Sequence, residues 1–267
     1  MLTFASDFGS PYPAAVKGVL CSTVDERARI VDVAHDLPRQ SVRAGAFWLR
    51  ETLPYFPPAV HLVVVDPGVG TDRAAVALRV GDHALVGPDN GVLRPVARGL
   101  AETQATGGGG ETTPEVEAFE IHYQNPASAT FHGRDVFGPA AGEVHAVGVD
   151  AMETLDDLAP MPVDDLVDFD LPAADVDDGE GRATGEVLVV DDFGNAITNV
   201  PGTVLDGVDS VLVNGERVPA VGSFAGVDRG ERLVTVGSHG NVECDVNHGR
   251  GDEAFGVDVG DRVVVQW

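Results

Sequence analysis

Residues 60 to 73 read VHLVVVDPGVGTDR, and their first half decides the fold. A run this uniformly apolar and β-branched is a strand covered on both faces, which is how strands of parallel sheets read. It ends abruptly in Asp66, passes through a Pro-Gly and a second glycine, and closes on Arg73. On either side the same punctuation recurs. LTFASDF and ARIVDVAHDL read as strands, and between them YPAAVKGVLCST has apolar residues at helical spacing. SVRAGAFWLRETLPYF reads as a helix with Ser41 as its N-cap. AAVALRV and HALVGPDNGVL extend the strand set, and residues 101–118 read as an exposed, turn-rich loop. This rhythm predicts an α/β N-terminal domain with a mostly parallel central sheet flanked by helices. We place that domain at residues 1–160 and an acidic, proline-rich linker at 161–182. A smaller all-β C-terminal domain follows at 183–267, where GEVLVVDDFGNAITNV, SVLVNGERV, ERLVTVGS and DRVVVQW are short strand patterns, with NGER as a tight hairpin connection.

The chain has 267 residues, 43% of them hydrophobic, enough to bury a sizeable core. With 17 Lys+Arg against 43 Asp+Glu the formal net charge is −26, which disfavours nucleic acid and anionic membranes as partners. Lys17 is the only lysine, and such a surface fits a salt-rich cytoplasm, where screening over about 3 Å removes self-repulsion. No apolar run reaches the roughly 18 to 20 residues of a membrane span. MLTFASDFGS lacks the basic and apolar regions of a signal peptide, so a cytoplasmic protein with reduced Cys21 and Cys244 is expected.

Polar residues gather where strands run out into glycine-containing turns, the usual ligand positions of α/β sheets. Asp7 stands in ASDFG, Asp66 and Arg73 in the opening stretch, Asp89 and Asn90 in GPDNG, and Asp191 and Asn195 in VVDDFGN. His132, Arg134 and Asp135 stand in NPASATFHGRDVFGP. A phosphate loop is excluded for residues 63–73. No Lys-Ser/Thr follows, GVGTDRAAVALRV runs on into a strand, and Asp66 would repel the phosphate. The eight histidines form no HxH or HxxxH pair, so no metal is expected, and no GxSxG marks a nucleophilic serine. Plain structural roles stay open: a loop ion pair for Asp66 and Arg73, a packed histidine for His132, a turn cap for Asp7, a core aromatic for Phe193.

SDFG, DPGVG with Arg73, GPDNG, TFHGRDVFGP, DxFGNxxTN (Asp191 to Asn199) and GSHGNVE occur in this order. Together they resemble the S-adenosylmethionine hydroxide adenosyltransferase family, the adenosine-forming SAM hydrolases, which are related to fluorinase and chlorinase enzymes. The resemblance spans the chain from Asp7 to about Asp261. It implies hydrolysis of S-adenosyl-L-methionine (SAM) to adenosine and L-methionine by displacement at C5′, with no cofactor beyond substrate and water. Asp66, Arg73 and His132 match the family's catalytic set. Asp7 matches the acid that grips both ribose hydroxyls. Asp191 and Asn195 match residues that hold the methionine part, Phe193 one that packs against adenosine, and Ser238 one that contacts the methionine carboxylate. Glu243 lies in the same C-terminal motif, backbone near Val246 would meet the adenine edge, and His35 and Asn90 fit motifs that line the pocket. The family also implies a homotrimer with active sites at subunit interfaces. A chlorinase or a non-catalytic SAM or adenosine binder are the alternatives; retention of Asp66 and His132 favours hydrolysis, because a carboxylate there would repel halide. The stretch CDVNHGRGDEAFGV (244–257) departs from the family's small, apolar run by carrying Asp245, Arg250 and Asp252.

Overall fold

The chain described by a computed structural model, at residues 1–107, 113–124 and 126–267, divides into two compact units, Met1–Asp170 and Leu171–Trp267. In the first, the strands are β1 (Leu2–Ser6), β2 (Ile30–Ala34), β3 (Val60–Val64), β4 (Ala75–Val80), β5 (His83–Pro88), β6 (Val116–Ile121) and β7 (Leu158–Met161). The helices are α1 (Tyr12–Thr23), α2 (Val42–Thr52), α3 (Leu93–Gly107) and α4 (Gly138–Val147). The sheet order is β2-β1-β3-β5-β4-β6-β7. The first four strands of that order pair in parallel, and the β5–β4, β4–β6 and β6–β7 ladders are antiparallel. The sheet is therefore mixed: crossovers through α1 and α2 make β1, β2 and β3 parallel, and β5 joins them in parallel by returning from the antiparallel β4. Every residue of β3 is buried, as its uninterrupted apolar run requires.

Helix α1 occupies the YPAAVKGVLCST segment, and Ser41 caps α2 by accepting a 3.2 Å bond from the Ala44 N–H. The loop read over 101–118 is mostly regular structure. Helix α3 runs to Gly107 and β6 starts at Val116, while residues 108–112 lie outside the described residues. Leu93, Val96, Ala97, Leu100 and Ala101 are the buried stripe of α3, and burial of that stripe outweighs the turn-rich composition that follows it. The strand pattern in HALVGPDNGVL likewise stops at Pro88.

The second unit is an antiparallel sheet of β8 (Asp175–Asp177), β9 (Arg182–Val190), β10 (Ala196–Pro201), β11 (Ser210–Val213), β12 (Glu216–Pro219), β13 (Arg232–Val236), β14 (Asn241–Val246) and β15 (Arg262–Gln266), with one short helix, α5 (Gly251–Phe255). Val213 pairs with Glu216 across Asn214 and Gly215, whose φ angles of 50° and 88° are the left-handed pair that a two-residue hairpin turn demands. Strand β14 and helix α5 are not separated by the sequence patterns, because the 244–257 stretch alternates polar and apolar residues without a clean period.

A buried polar chain crosses the first sheet. Thr3 Oγ1 lies 2.7 Å from His61 Nδ1, and His61 Nε2 lies 2.8 Å from His83 Nδ1, with the two rings stacked. Burial pushes His61 down to about 3, with His83 adding to the effect, so the His61 ring stays neutral in the folded chain, and burial lowers His83 as well. The unfolded chain binds a proton at His61 near pH 6.5 and the folded chain does not until about pH 3, so stability contributed here is full above pH 6.5 and is lost as pH falls. Thermal melting should therefore show a steep decline from pH 6.5 to 4 that is shallower in His61→Asn; parallel declines in the two proteins would refute this source of acid sensitivity.

Candidate active site

Because β1, β3 and β5 are parallel and β4 returns antiparallel to β5, the chain segments after β1, β3 and β5 and the one before β4 all meet at one end of the sheet. That places Asp7, Asp66, Asn90 and Arg73 together, although up to 83 residues separate them. The DPGVG loop folds back on itself through Thr71, whose N–H and Oγ1 both donate to the Gly68 carbonyl at 3.1 and 2.7 Å. Gly70, at φ +81°, is required twice over: a side chain there would also come within 2.7 Å of the Ala129 carbonyl, just before the TFHGRD segment.

Arg73 binds Asp66 with two donors. Its Nε lies 2.8 Å from Asp66 Oδ1, and its Nη2 donates to Asp66 Oδ2. Nη2 also lies 3.0 Å from His132 Nδ1, Nη1 donates to the Ala74 carbonyl at 3.1 Å, and the guanidinium carbon sits 4.9 Å from the centre of the Phe137 ring. His132 opens a π-helical turn, Gly133–Phe137, that leads directly into α4. Asp66 and Arg73 side chains are 5% and 9% exposed and His132 is 4% exposed, so the bidentate pair works in a partly dry environment. Arginine has donors only, so His132 Nδ1 must be the acceptor and the ring proton of the neutral imidazole sits on Nε2. Burial holds His132 below the usual histidine range, and the Arg73 charge pushes the same way.

Asp66 faces a cavity of about 540 Å³, a size suited to a ligand of a few hundred daltons. Asp7, Phe8, Tyr12, Arg39, Gln40 and Phe131 line it as well. Asp7 Oδ2 accepts from the Gln40 N–H at 2.7 Å, and Arg39 Nη2 donates to the Phe8 carbonyl at 2.9 Å. Phe8, Tyr12 and Phe131 meet edge to face. Arg134 also lines the cavity, paired with Asp135 at 2.6 and 2.8 Å and lying over Phe131. Arg39 and Gln40 carry no signal in the sequence, since they stand far from any glycine turn and reach the cavity only because β2 neighbours β1.

The remaining residues singled out from the sequence sort by position. Asn90 donates to the Val65 carbonyl at 2.9 Å and accepts from the Val92 N–H, bracing the strand that ends in Asp66. His35 is tied to Ser6 Oγ at 2.8 Å and to Asp32 at 3.0 Å and packs on Phe4, outside the residues lining the cavity. In the second unit, Asp191 accepts from the backbone N–H groups of Phe193 and Asn195, both at 2.9 Å, and from Asn195 Nδ2 at 3.0 Å. This holds Phe193 out in solvent at 79% exposure. Glu243 Oε1 lies 2.9 Å from His239 Nε2, Ser238 is exposed in the turn before β14, and Val246 is buried at its end. Among the described residues no group of three or more His, Cys, Asp or Glu side chains is placed to hold a metal ion, and no helix is long and apolar enough to cross a membrane.

Family models for the N-terminal and C-terminal domains of SAM hydroxide adenosyltransferases match residues 2–155 and 185–264. The chain belongs to the SAM hydroxide adenosyltransferase family. It is 40% identical to an (R)-S-adenosyl-L-methionine hydrolase of Salinispora tropica, over 99% of this chain and 97% of that one. It is 42% identical to the enzyme of the same name from Thermus thermophilus, over 96% of each chain. Among solved structures, an uncharacterized conserved protein from Thermotoga maritima superimposes with a TM-score of 0.77 at 30% identity, over the full length of both chains. A conserved hypothetical protein from Thermus thermophilus does so at 0.71 and 38% identity, over 99% of this chain and 98% of that one.

The Arg73–His132 contact makes a direct prediction. Nitrogen NMR of His132 should show Nδ1 bare and Nε2 protonated, with a titration midpoint below the ordinary histidine range that rises in Arg73→Met. A midpoint unmoved by that substitution would mean that the Arg73 charge does not act on the ring.

Proposed function

We propose that this protein hydrolyses SAM to adenosine and L-methionine, and that the (R)-sulfonium epimer named for its relatives is its substrate. The observation that carries the reading is the Asp66 carboxylate, clamped by Arg73 and facing a cavity large enough for the adenosine half of SAM. The reaction is an in-line displacement at C5′: water oxygen bonds to C5′, the C5′–S bond breaks, and the sulfonium leaves as a neutral thioether. No general acid is needed for such a leaving group. What the enzyme supplies is position, desolvation and a place for the water proton.

Asp66 fits that last task. A carboxylate has about four acceptor sites, of which Arg73 takes two, leaving room for one water to donate to it. As the C5′–O bond forms, the proton passes to Asp66 and then to solvent. Arg73 fixes the carboxylate in orientation. His132, neutral with its proton on Nε2, braces the other side of the same guanidinium and so acts as a positioning residue for Asp66. Asp7 supplies an acceptor for the ribose hydroxyls. Asn90 holds the Val65–Asp66 backbone in place. In the C-terminal unit, Asp191 with Asn195, Ser238, Glu243 and the backbone near Val246 take the methionine part and the adenine edge, with Phe193 against the adenosine. Active sites at the subunit interfaces of a homotrimer belong to the same reading. A halogenating activity fits poorly, because a halide in the cavity would face Asp66.

Incubation of the pure protein with each sulfonium epimer in high chloride, followed by chromatography, should yield adenosine and methionine from the (R) form. Formation of 5′-chloro-5′-deoxyadenosine, or SAM returned intact, would overturn the proposal. Asp66→Ala should still bind SAM yet lose at least about 100-fold in kcat, the usual scale for removal of a proton acceptor; undiminished turnover would remove Asp66 from its role. Gel filtration at falling salt, with parallel assays, should show activity vanishing as a trimer dissociates, whereas a fully active monomer would contradict the assembly.

A further inference from the structure

Gln40 lines the cavity of the N-terminal unit with its backbone in the left-handed region, at φ 58°. It stands third in a turn, Pro38 to Ser41, closed by a 3.1 Å bond from the Ser41 N–H to the Pro38 carbonyl. A positive φ at that place ordinarily selects glycine or asparagine, because a Cβ crowds the following carbonyl and only a short polar side chain offsets this by bonding locally. The other described non-glycine residues with positive φ are Asn214, in the hairpin turn, and His248, just after β14. Asparagine and histidine are types enriched in this region, and glutamine is not.

The backbone has a task at this position, since the Gln40 N–H donates to Asp7 Oδ2 at 2.7 Å. Glycine would perform it equally well, with the same N–H, no Cβ and no strain. Any larger residue costs stability there, and what it adds beyond glycine is a side chain. The Gln40 side chain is exposed, and its carboxamide makes no hydrogen bond among the described residues. Asp7, on the same cavity wall, is 9% exposed, and its Oδ1 receives no donor among the described residues. Arg39, the preceding residue, bonds to the Phe8 carbonyl rather than to Asp7. The wall thus presents a carboxylate oxygen and a carboxamide next to each other, both open to a ligand.

We propose that Gln40 is a further substrate-contacting residue that sets specificity for a vicinal diol, its carboxamide donating to the oxygen of a hydroxyl whose own proton goes to Asp7. This rests on the functional reading above, in which Asp7 accepts from the ribose hydroxyls. A hydroxyl is donor and acceptor at once, and a carboxylate answers only the donor; the amide of Gln40 supplies the missing donor from the same wall. A deoxy sugar leaves such groups without their partner, which is why sites built on hydroxyls discriminate strongly. A cationic group in the same place would need acceptors only, and would gain more from glutamate than from glutamine. The left-handed strain is then the stability given up for a side chain that touches the ligand.

The test compares wild type, Gln40→Gly and Gln40→Glu by thermal melting and by calorimetric binding of adenosine, 2′-deoxyadenosine and 3′-deoxyadenosine. Gln40→Gly should melt about 2 °C higher, because the strain is relieved, yet bind adenosine about tenfold more weakly. Its affinity for one of the deoxy analogues should stay at the wild-type value, so that its preference for adenosine over that analogue shrinks about tenfold. Gln40→Glu keeps the length and the strain and loses the donor, and should bind adenosine no better than Gln40→Gly. A residue that only shapes the turn cannot combine a gain in stability with a loss of discrimination. The proposal is overturned if Gln40→Gly binds all three nucleosides as the wild type does, loses the same factor for all three, or melts lower. Tighter adenosine binding by Gln40→Glu would overturn it as well. Any of these results with a wild type that hydrolyses SAM sinks this proposal alone, whereas a wild type that neither hydrolyses SAM nor binds adenosine sinks the functional reading with it.

Discussion

A guanidinium can only donate, and a carboxylate can only accept. Much of the N-terminal site follows from that constraint at Arg73. Its donors go to Asp66, to His132 and to the Ala74 carbonyl, and its flat face lies over Phe137. One side chain thereby joins the end of β3, the start of β4 and the turn that leads into α4. It also dictates the histidine's protonation: Nδ1 must stay bare, so the imidazole is a neutral Nε2–H tautomer whatever else surrounds it. Lysine could not do this, since a point charge lacks the planar fork that grips two oxygens at once. The chain uses arginine in this bidentate way elsewhere, at Arg79–Glu117, Arg134–Asp135 and Arg250–Asp252. With one lysine against 43 acids, nearly all of its cationic contacts are of this planar kind.

The arrangement separates two duties that are easily merged when three polar residues are named together. Asp66 lines the cavity, whereas Arg73 and His132 are not among the residues that line it. The order from ligand space inward is therefore carboxylate, guanidinium, imidazole. In the proposed reaction a proton leaving a water would meet the carboxylate first, with the two groups behind it setting its orientation. The C-terminal unit shows the opposite economy: the Asp191 carboxylate is consumed by its own turn, Glu243 is engaged by His239, and Asp245 alone of the three has no hydrogen-bond partner among the described residues.

The apolar strand β3, the capped helix α2 and the Asn-Gly hairpin were legible in the sequence because each depends on a local cause: an uninterrupted β-branched run, a side-chain oxygen at the N-cap, a residue pair tolerant of positive φ. Helix α3 was masked because its apolar stripe is followed by a glycine run whose turn signal dominates any local window. The antiparallel half of the first sheet was hidden for a different reason. Strands β4 and β5 are a hairpin across Gly81 and Asp82, a turn signal the strand patterns did not include, and the directions of β6 and β7 depend on where α3 and α4 carry the chain, which no single strand encodes.

By itself, the sequence determined the residue types at the strand ends, the glycines that let those ends turn, and the ordered motifs that mark the family. Tertiary structure alone decided which of them meet. Asp66 and Arg73 are seven residues apart and could have formed only a loop ion pair; the parallel β3–β5 and antiparallel β5–β4 ladders bring their ends back to one place, and the turn before α4 adds His132 from 59 residues further on. Arg39, Gln40 and the isolation of Asp245 are of the same kind. A cavity wall and an unpartnered carboxyl are properties of what surrounds a side chain, and the surroundings are supplied by distant chain segments that pattern and spacing do not describe.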